Sequence, residues 1–341
     1  MPLVSGTARV LAIYPETMLR LLFTIATLTA CSEPSGDSPA VVAPEVNQPV
    51  ETSYYHWTST VDIDPAWTQK FQPHRLYIKM LDMAHRGKLE AVVSRVETEP
   101  GVTVVPVVYM DLDLLRHLEV PDLEAFIVSR IPPDRYTALQ MDCDWTLQTR
   151  EAYFELLRGL AEHYSELSAT IRLHQVKYFD TTGVPPVSRG ALMYYNMSDI
   201  QDVEIDNYIL DLETAQKYHH NFESYPLPLD LALPLYAQGR VIRYGKLVSL
   251  IDPDDLQPDA VRDIGDGSMR SLEVTRGHYA DGRFIYEGDR VQVDRVSIEV
   301  LQEAARGLAP LMQPAEVIFY DQQSSTHYEP EALKTVVSAL H

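Results

Sequence analysis

The sequence predicts an α/β protein with the architecture of a (β/α)8 TIM-type barrel, carrying a small β insertion between the seventh and eighth strands. Two observations favour this fold. From residue 53 onward, short apolar runs that resemble strands alternate with amphipathic helical patterns, which is the order expected of βα units around a parallel sheet. Eight such runs can be counted, and eight parallel strands close a barrel of this type.

The eight predicted strands follow one another along the chain. They are residues 53–59, 75–83, 102–110, 137–145, 167–175, 191–197, 229–237 and 315–322. Between the fourth and fifth runs, residues 150–164 place apolar side chains at helical spacing. The long gap before the eighth run contains the turn dipeptide Asp281-Gly282 and predicts a β insertion over about residues 240–298. Whether this insertion is a wall of a cleft or mere decoration stays open.

The amino-terminal segment has the layout of a secretory signal. Residues 18–30 run from one arginine through an apolar stretch to small residues, and they are too few to span a bilayer. Residues 28–31, LTAC, resemble the lipobox of bacterial lipoproteins, in which the cysteine becomes the lipidated first residue of the mature chain. The resemblance implies a signal peptide over residues 1–30, with Met18 as the expected start, and a lipid anchor on Cys31.

A tether is predicted to connect this anchor to one barrel domain, residues 53–341. Residues 31–52 are rich in Pro, Ser and acidic side chains and offer little that could form a core. By resemblance to Gram-negative sorting rules, Ser32 favours the outer membrane, so we expect a lipid-anchored protein of the bacterial cell envelope. An ordinary cleaved signal with a coincidental cysteine is the alternative.

Charge and cysteine content limit the possible partners. The formal net charge is −21, so nucleic acid and anionic lipid are repelled, and no nucleic-acid partner is expected. Of the two cysteines, Cys31 is assigned to lipid, which leaves Cys143 without an intramolecular disulfide partner. The sequence contains no CxxC, HExxH, Walker A, GxGxxG or GxSxG motif, and neither a cofactor nor a metal is expected.

The fourth predicted strand carries the candidate catalytic residues. In residues 140–145, QMDCDW, strand alternation places Gln140, Asp142 and Asp144 on one face. Two carboxylates that point into a barrel suit acid/base chemistry or a cation, because close like charges raise one pKa and need partners. The alternative is that Asp142 is a buried structural residue paired with a basic side chain.

The fifth predicted strand supplies partners for these carboxylates. Thr170, Arg172 and His174 are predicted to share one face of it. Arg172 could neutralise the acidic pair, and His174 could carry a proton or bind a sugar, although a structural role for this histidine stays open. Lys79 and Asp82, on the second strand, are weaker candidates of the same kind.

Aromatic side chains gather at the ends of several predicted strands. They are Tyr55, Trp57, Trp145, Tyr194, Tyr195, Tyr236 and Tyr320. Flat aromatic faces with a polar rim suit sugar rings, although part of this set is expected to belong to the core. The chain contains 20 Tyr against 8 Phe, so it prefers aromatic side chains that carry a hydroxyl.

Two of the predicted strands resemble those of family-18 glycoside hydrolases, the chitinases and their relatives. Residues 142–145, DCDW, resemble part of the fourth-strand motif D-x-x-D-x-D-x-E, and residues 193–196, MYYN, resemble the sixth-strand motif M-x-Y followed by Asp or Asn. The resemblance implies a (β/α)8 barrel and a substrate whose own acetamido group is the nucleophile. It also implies that Asp144, Tyr195 and Asn196 hold that acetamido group.

The fourth strand departs from that motif at two positions. Leu139 stands where the first Asp belongs, and Thr146 stands where the acidic Glu belongs. A threonine hydroxyl is too weak an acid to protonate a glycosidic oxygen near neutral pH. Glu151 is the nearest spare carboxyl, about a turn and a half further along the predicted helix. The family's own mechanism is therefore not expected, and whether the chain is an enzyme stays open.

A second resemblance covers nearly the whole mature length. The segments YYHW, LQMDCDWT, LSATIRLHQ and GVPPVSRGALMYYNM resemble an uncharacterised bacterial family of lipoproteins and secreted barrels with a glycosidase-like fold. This resemblance implies the fold and the envelope location but no reaction.

These observations lead us to expect an envelope lipoprotein whose chitinase-like barrel binds or processes a glycan at the carboxyl ends of its strands. The predicted catalytic residues are Asp142 and Asp144, and the predicted substrate-binding residues are Trp57, Trp145, Arg172, His174, Tyr195, Asn196, Tyr236 and Tyr320. The glycan hypothesis covers both a hydrolase with a non-standard general acid and a non-catalytic binder. The alternatives are a scaffold or assembly lipoprotein, and a metal-dependent hydrolase built on the two aspartates and His174, which lacks metal-binding spacing.

The geometry at the strand ends separates these hypotheses. Two carboxyls about 5 to 10 Å apart across an open cleft would keep hydrolysis possible, whereas a single exposed carboxyl would not. A closed face on which Arg172 seals both Asp142 and Asp144 would contradict the glycan hypothesis.

Overall fold

The computed structural model describes residues 49–98, 100–265 and 270–341. Pro49–His341 forms one compact unit. The predicted signal peptide, the lipidated Cys31 and the tether up to residue 48 lie outside the described residues. The first strand begins at Glu51, two residues before the predicted start of the barrel.

The strands of the described chain fall into a barrel, an insertion and short pairings. In chain order they are β1 (Glu51–His56), β2 (Thr60–Val61), β3 (Arg75–His85), β4 (Leu89–Val93), β5 (Arg95–Val96), β6 (Thr103–Met110), β7 (Ala138–Asp142), β8 (Glu166–Arg172), β9 (Arg189–Met193), β10 (Leu229–Pro234), β11 (Ala237–Arg243), β12 (Lys246–Ile251), β13 (Val261–Asp263), β14 (Arg270–Val274), β15 (His278–Ala280), β16 (Arg283–Ile285), β17 (Arg290–Arg295) and β18 (Glu316–Tyr320).

The helices of the described chain cover the outside of the barrel. In chain order they are α1 (Pro65–Phe71), α2 (Leu114–His117), α3 (Val120–Arg130), α4 (Arg150–Ala161), α5 (Leu173–Lys177), α6 (Phe179–Thr182), α7 (Leu212–Gln216), α8 (Ile298–Leu308) and α9 (Pro330–Ser338). The apolar stripe predicted for α4 is the face that it buries. Within the described ranges, none of these helices has the length and apolar character that a membrane crossing requires.

Parallel pairing closes the barrel. In the described chain, β1, β3, β6, β7, β8, β9, β10 and β18 pair in this order, and β18 pairs back to β1. Each of the eight predicted strand runs overlaps one of these strands, so the predicted (β/α)8 barrel is confirmed. The second βα repeat departs from the alternation of strand and helix. Strands β4 and β5 lie between β3 and β6, where a helix was expected.

Buried polar groups fill the amino-terminal end of the barrel interior. The Arg189 guanidinium binds both carboxylate oxygens of Asp230, at 2.6 and 2.7 Å. The Glu316 carboxylate accepts hydrogen bonds from the hydroxyl of Ser53 and, at 2.8 Å, from that of Tyr77. These groups satisfy one another at the amino-terminal end, whereas the candidate residues from the sequence follow the carboxyl ends of the strands.

The fifth barrel strand ends earlier than predicted. β8 stops at Arg172, and α5 begins at the next residue, where the backbone N–H of Arg172 donates to the Gln175 side chain at 2.7 Å. This capping interaction turns the chain away from the strand direction. His174 therefore lies in the first turn of a helix, and the prediction that it shares a strand face with Thr170 and Arg172 is wrong.

The insertion lies between β10 and β18, as predicted, although its first strand begins at Ala237. Its sheet is antiparallel, with the order β12, β11, β17, β14, β13, and β15 and β16 form a separate hairpin. The insertion has an apolar core of its own, built from Val241, Ile251, Leu256, Leu272, Val274, Ala280, Ile285, Val291 and Val293. It is thus an independently packed layer attached to the rim of the barrel.

Candidate functional site

The register of neighbouring strands brings the predicted acidic pair and its partners together. Because β7 and β8 pair in parallel, continuing their register sets Asp142 beside Thr170 and Asp144 beside Arg172. The Thr170 hydroxyl donates to Asp142 at 2.7 Å. The Arg172 guanidinium binds both oxygens of Asp144, at 2.8 and 3.0 Å. The predicted neutralising role of Arg172 thus corresponds to a bidentate pair with Asp144.

The two aspartates have opposite electrostatic properties. Asp142 is only 8% exposed, whereas the side chain of Asp144 is 43% exposed. Burial, together with the negative charge of Asp144, raises the pKa of Asp142 to about 6. Partial burial also acts to raise the pKa of Asp144, but the charge and hydrogen bonds of Arg172 outweigh it and lower this pKa. Only one carboxyl of the pair is therefore open to solvent.

Neither Thr146 nor Glu151 replaces the general acid that the family-18 motif carries as Glu at the position of Thr146. Thr146 is exposed, and its backbone N–H donates to the Thr149 hydroxyl at 3.0 Å in the turn that leads into α4. The carboxylate of Glu151 is 76% exposed and pairs with Arg150 at 2.7 Å. Both side chains are exposed, and neither provides a shielded proton donor.

A bulge in β3 adds a second charged pair to the same end of the barrel. The pairing of β3 with β6 shifts by one residue after Lys79, so Lys79 and Asp82 come to lie on one face and bond at 2.8 Å. Asp82 is level with Tyr109 of β6, which is level with Asp142 of β7. Lys79 and Asp82 therefore belong to the rim of the candidate site.

Tyr109 is a site residue that the sequence analysis missed. Burial, followed by the charges of Asp142, Asp144, Asp111 and Asp82, raises the pKa of its hydroxyl. The hydroxyl consequently stays protonated and can donate a hydrogen bond among these carboxylates. Tyr109 lies at the end of the third predicted strand, and aromatic residues at strand ends were the signal that identified Trp57 and Tyr320. The same signal could have identified Tyr109.

Four aromatic side chains form a cluster at the mouth, which we call the mouth cluster: Trp57, Tyr195, Tyr236 and Tyr320. Tyr320 is at its centre, with ring centroids 5.7 Å from Trp57 and 5.6 Å from each of Tyr195 and Tyr236. Trp57 and Tyr320 are partly exposed, whereas Tyr195 and Tyr236 are buried beneath them. The ammonium of Lys79 lies 5.5 Å from the centre of the Trp57 ring and connects the cluster to the charged rim.

Asn196 provides an exposed polar group beside the mouth cluster. Its backbone is left-handed, with a φ of 55°, a conformation that asparagine adopts more readily than most residues. Its side-chain oxygen accepts a hydrogen bond from the Tyr236 hydroxyl, and its backbone N–H donates to the Ile209 carbonyl at 2.7 Å. The residue is thus held in place with its amide open to solvent.

His174 is also near the acidic pair, although it lies on a helix. It is exposed in the first turn of α5. Partial burial lowers its pKa, and the positive charge of Arg172 acts in the same direction, against the opposing charge of Asp144. Its neutral form can therefore accept as well as donate hydrogen bonds at neutral pH.

Trp145 does not lie at the mouth, contrary to its predicted role in substrate binding. It is buried against α4, where its ring stacks on Tyr153 with centroids 5.4 Å apart. Its indole N–H donates to the Thr182 carbonyl at 3.1 Å. Strand alternation explains this position. Trp145 comes two residues after the buried Cys143, so both side chains point outward from the barrel.

Tyr194 and Tyr55 are likewise absent from the mouth. The Tyr194 hydroxyl is paired with His219 at 2.8 Å on the outer side of the sheet, and Tyr55 is buried in the barrel interior, where it donates to Gln140 at 2.7 Å.

Across the described ranges, no three His, Cys, Asp or Glu side chains are grouped as metal ligands. The arrangement at the mouth offers exposed aromatic faces beside fixed hydrogen-bonding groups.

Comparison with known proteins finds similar proteins by structure alone. No protein-family model matches the chain, and no curated protein sequence matches it. The chain is similar to the spore cortex-lytic enzyme SleL of Bacillus cereus, with a TM-score of 0.52 and 14% identity over 86% of this chain and 74% of that one. It is also similar to a plant class V chitinase mutant of Cycas revoluta, solved in complex with (GlcNAc)3, with a TM-score of 0.55 and 11% identity over 85% of this chain and 100% of that one.

A third similar structure is the chitinase-like agglutinin of Robinia pseudoacacia. The TM-score is 0.50, with 10% identity over 85% of this chain and 99% of that one. At such low identity these likenesses concern the fold, which is that of a chitinase-like barrel.

Proposed function

We propose that this chain is a lipoprotein of the bacterial cell envelope whose barrel mouth binds a glycan containing N-acetylglucosamine without cleaving it. The observation that carries the proposal is the mouth cluster, which sets partly exposed aromatic rings beside Asn196 and the Asp144–Arg172 pair. One of the similar structures is a complex with (GlcNAc)3, and the sixth-strand motif resembles that of family-18 glycoside hydrolases.

Ring faces and fixed polar groups are complementary to a sugar. The ring faces of Trp57 and Tyr320 can pack against the apolar C–H face of a pyranose, while hydroxyl and acetamido groups find donors and acceptors at the rim. Arg172 and Asp144 hold each other in one geometry, so little side-chain entropy is lost when a ligand arrives. These features support binding at the carboxyl ends of the strands.

Binding without cleavage is supported by the state of the carboxyl groups. Asp142 is buried and hydrogen-bonded to Thr170, and Asp144 is held in its ionised form by Arg172. A glycosidase needs a proton donor at the glycosidic oxygen, and Thr146 stands at the position where related enzymes carry it. The mouth therefore keeps groups that can orient a sugar, and Thr146 cannot supply the proton that cleavage needs.

The envelope location is proposed from the sequence. The lipobox at residues 28–31 would place lipid on Cys31, and Ser32 favours the outer membrane. Two or more acyl chains anchor a protein stably, whereas one chain binds a membrane only marginally. The barrel would then bind glycan at the membrane surface, at the end of a short tether.

The exposed tryptophan provides the test of binding. Replacing Trp57 with Ala removes an aromatic face, and we expect the Kd for (GlcNAc)4, measured by isothermal titration calorimetry, to rise about tenfold. Tyr244→Ala is the matched control, because Tyr244 is 97% exposed and lies in the distant β11–β12 turn of the insertion. Equal affinities of wild type and Trp57→Ala would exclude this mouth as the sugar site.

Catalysis is tested on the same ligands. We expect that wild type and Asp144→Asn both bind and that neither releases reducing ends from chitin oligosaccharides. Turnover by wild type that Asp144→Asn abolishes would instead establish a hydrolase with a non-standard acid. If neither protein binds any glycan of a broad panel, the scaffold hypothesis replaces this proposal.

A further inference from the structure

The insertion carries a second group of aromatic side chains, which are far more exposed than those of the mouth. Tyr279, Phe284 and Tyr286 are 68, 42 and 53% exposed. Tyr279 and Phe284 are cross-strand partners in the β15–β16 hairpin, and Tyr286 follows directly after β16. We call these three residues the outer platform.

The outer platform lies on the side of the insertion that faces away from the barrel. One face of the insertion sheet contacts the barrel loop at residues 198–208, where Arg240 and Gln292 donate to backbone carbonyls at 2.7 Å. The opposite face packs against Ala280 and Ile285 of the hairpin. Since side chains alternate along a strand, Tyr279 and Phe284 point outward, so the sheet and its core separate them from the mouth.

The rings of the outer platform are held in place by their neighbours. The Phe284 ring makes edge contacts with Tyr279 and Tyr286, with centroids 5.1 and 4.9 Å apart. The guanidinium of Arg243 lies 4.4 Å from the centre of the Tyr286 ring. Two hydrogen bonds of 2.7 Å fix this guanidinium to the buried Asp289. A ligand therefore meets rings that are already ordered, which lowers the entropic cost of binding.

The size of the platform favours a narrow ligand over a folded protein. With about 200 Å² of surface per aromatic side chain and roughly half of it exposed, the three rings present about 300 Å². A stable protein interface buries about 800 Å² on each partner. A single polysaccharide strand requires only a few ring faces, so the available area is sufficient for it.

The chemical character of the outer platform also favours a polysaccharide strand. Two of the three rings carry hydroxyls, and the exposed ends of Asp281, Arg283 and Glu287 supply a polar rim of both charge signs. A chain of net charge −21 repels polyanions and favours neutral or cationic polymers, and a rim that carries both charge signs suits a neutral one. We propose that the outer platform is a second glycan-binding surface, which holds a neutral polysaccharide strand outside the mouth. The choice of ligand class rests on the proposed function, whereas the surface is a different one.

The test compares a polymer with a short oligosaccharide. Full-length wild type, Tyr279→Ser/Tyr286→Ser and the matched control Tyr178→Ala, whose tyrosine is 51% exposed outside the insertion, are sedimented with chitin and with cellulose. We expect the double variant to lose affinity for at least one polymer by about tenfold, with unchanged affinity for (GlcNAc)4. The variant Tyr279→Phe/Tyr286→Phe keeps the aromatic faces and should bind the polymer like wild type, which separates lost contacts from lost folding.

The possible results distinguish this proposal from the one for the mouth. Weaker polymer binding by the serine variant, combined with no (GlcNAc)4 binding by any protein, supports the platform and contradicts the mouth. Equal polymer binding by wild type and the serine variant overturns the platform, as does the absence of polymer binding by wild type. A dimer in light scattering that the serine variant abolishes also overturns it, because the surface would then join two copies of the chain.

Discussion

At the scale of single residues, Asp142 and Asp144 show how position determines the behaviour of one side-chain type. They are two residues apart on one strand face, yet one is buried beside a threonine hydroxyl and the other is paired with an arginine in partial contact with solvent. The ion pair lowers one pKa, whereas burial and the neighbouring charge raise the other to about 6. The pair thus behaves as one fixed anion and one carboxyl that protonates in mildly acidic solution.

The raised pKa of Asp142 predicts a specific pH dependence of stability. Between about pH 4 and pH 6 the folded chain keeps this proton while the unfolded chain loses it, so the group's contribution to stability falls as the pH rises through that window. Asp142→Asn can still accept the hydrogen bond of Thr170 without the charge. We expect it to raise the free energy of unfolding at pH 7.5 by about 1 to 2 kcal/mol, measured by urea denaturation, and to do so less at pH 5.

Asp144→Asn is the matched control for that prediction. A lowered pKa contributes stability above the unfolded value of about 4, and this contribution is lost as the pH falls. Removing the charge should therefore lower the free energy of unfolding at pH 7.5, by no more than about 1 kcal/mol because the pair is partly exposed to solvent. If both variants shift stability in the same direction at pH 7.5, the assigned difference between the carboxyls is incorrect.

At the scale of elements, two departures from regular strands shape the mouth. The bulge after Lys79 lets residues three apart share one face, and the early end of β8 moves His174 onto a helix. Strand alternation cannot anticipate either change, because the bulge depends on the register against β6 and the end of β8 on the capping hydrogen bond between Arg172 and Gln175. The bulge lies in the middle of β3 and the other departure at the carboxyl end of β8, and both re-aim side chains.

A buried arginine lies at the contact of the insertion with the barrel. Arg240 is fully buried, binds Asp294, and donates to the carbonyls of Asp202 and Ile205. Replacing it with Met leaves a buried carboxylate without its cation, so we expect the free energy of unfolding to fall by about 3 kcal/mol or more. Hydrogen exchange should accelerate in residues 198–208 and in β11.

Arg243→Met is the control within the same sheet. Arg243 also binds an aspartate through two hydrogen bonds, but it is partly exposed, so its loss should destabilise the chain less. The double variant Arg240→Met/Asp294→Leu should recover part of the lost stability, because no buried charge then remains without a partner. Equal effects of Arg240→Met and Arg243→Met would show that the buried pair is not what holds this contact.

At the scale of the whole molecule, the protein is an acidic barrel with a mouth of aromatic and charged residues and an outer platform on its insertion. The two candidate glycan surfaces lie on different sides of the insertion sheet. If both surfaces contact one polymer, the simultaneous contact would raise the overall affinity by effective concentration.

The proposed lipid anchor on Cys31 leads to a prediction about membrane association of the whole protein. Cys31→Ser removes the proposed lipidation site, which lies outside the described residues, so we expect the variant to appear in the soluble fraction when the wild type sediments with membranes. The measurement is fractionation of cells that express each form, with Cys143→Ser as the control for loss of a thiol. If Cys31→Ser still fractionates with membranes, the lipoprotein proposal is wrong.

The sequence by itself determined the fold and the strand face on which Asp142 and Asp144 lie. Eight apolar runs predicted eight barrel strands, and period-two alternation placed Asp142 and Asp144 on the face that meets Thr170 and Arg172. These features are local, because backbone geometry dictates which side chains share a face. The same alternation, applied to Trp145, would have indicated its outward position.

Only the tertiary structure decided depth, partners and exposure. Asp142 is buried and Asp144 partly open, Tyr320 brings together aromatic rings from four strand ends, and Tyr109 lies among the acidic residues. The outer platform likewise exists because two hairpin strands put Tyr279 and Phe284 side by side on the solvent face. Such features depend on residues far apart in the chain, since burial and electrostatic environment arise when the barrel closes and its side chains pack.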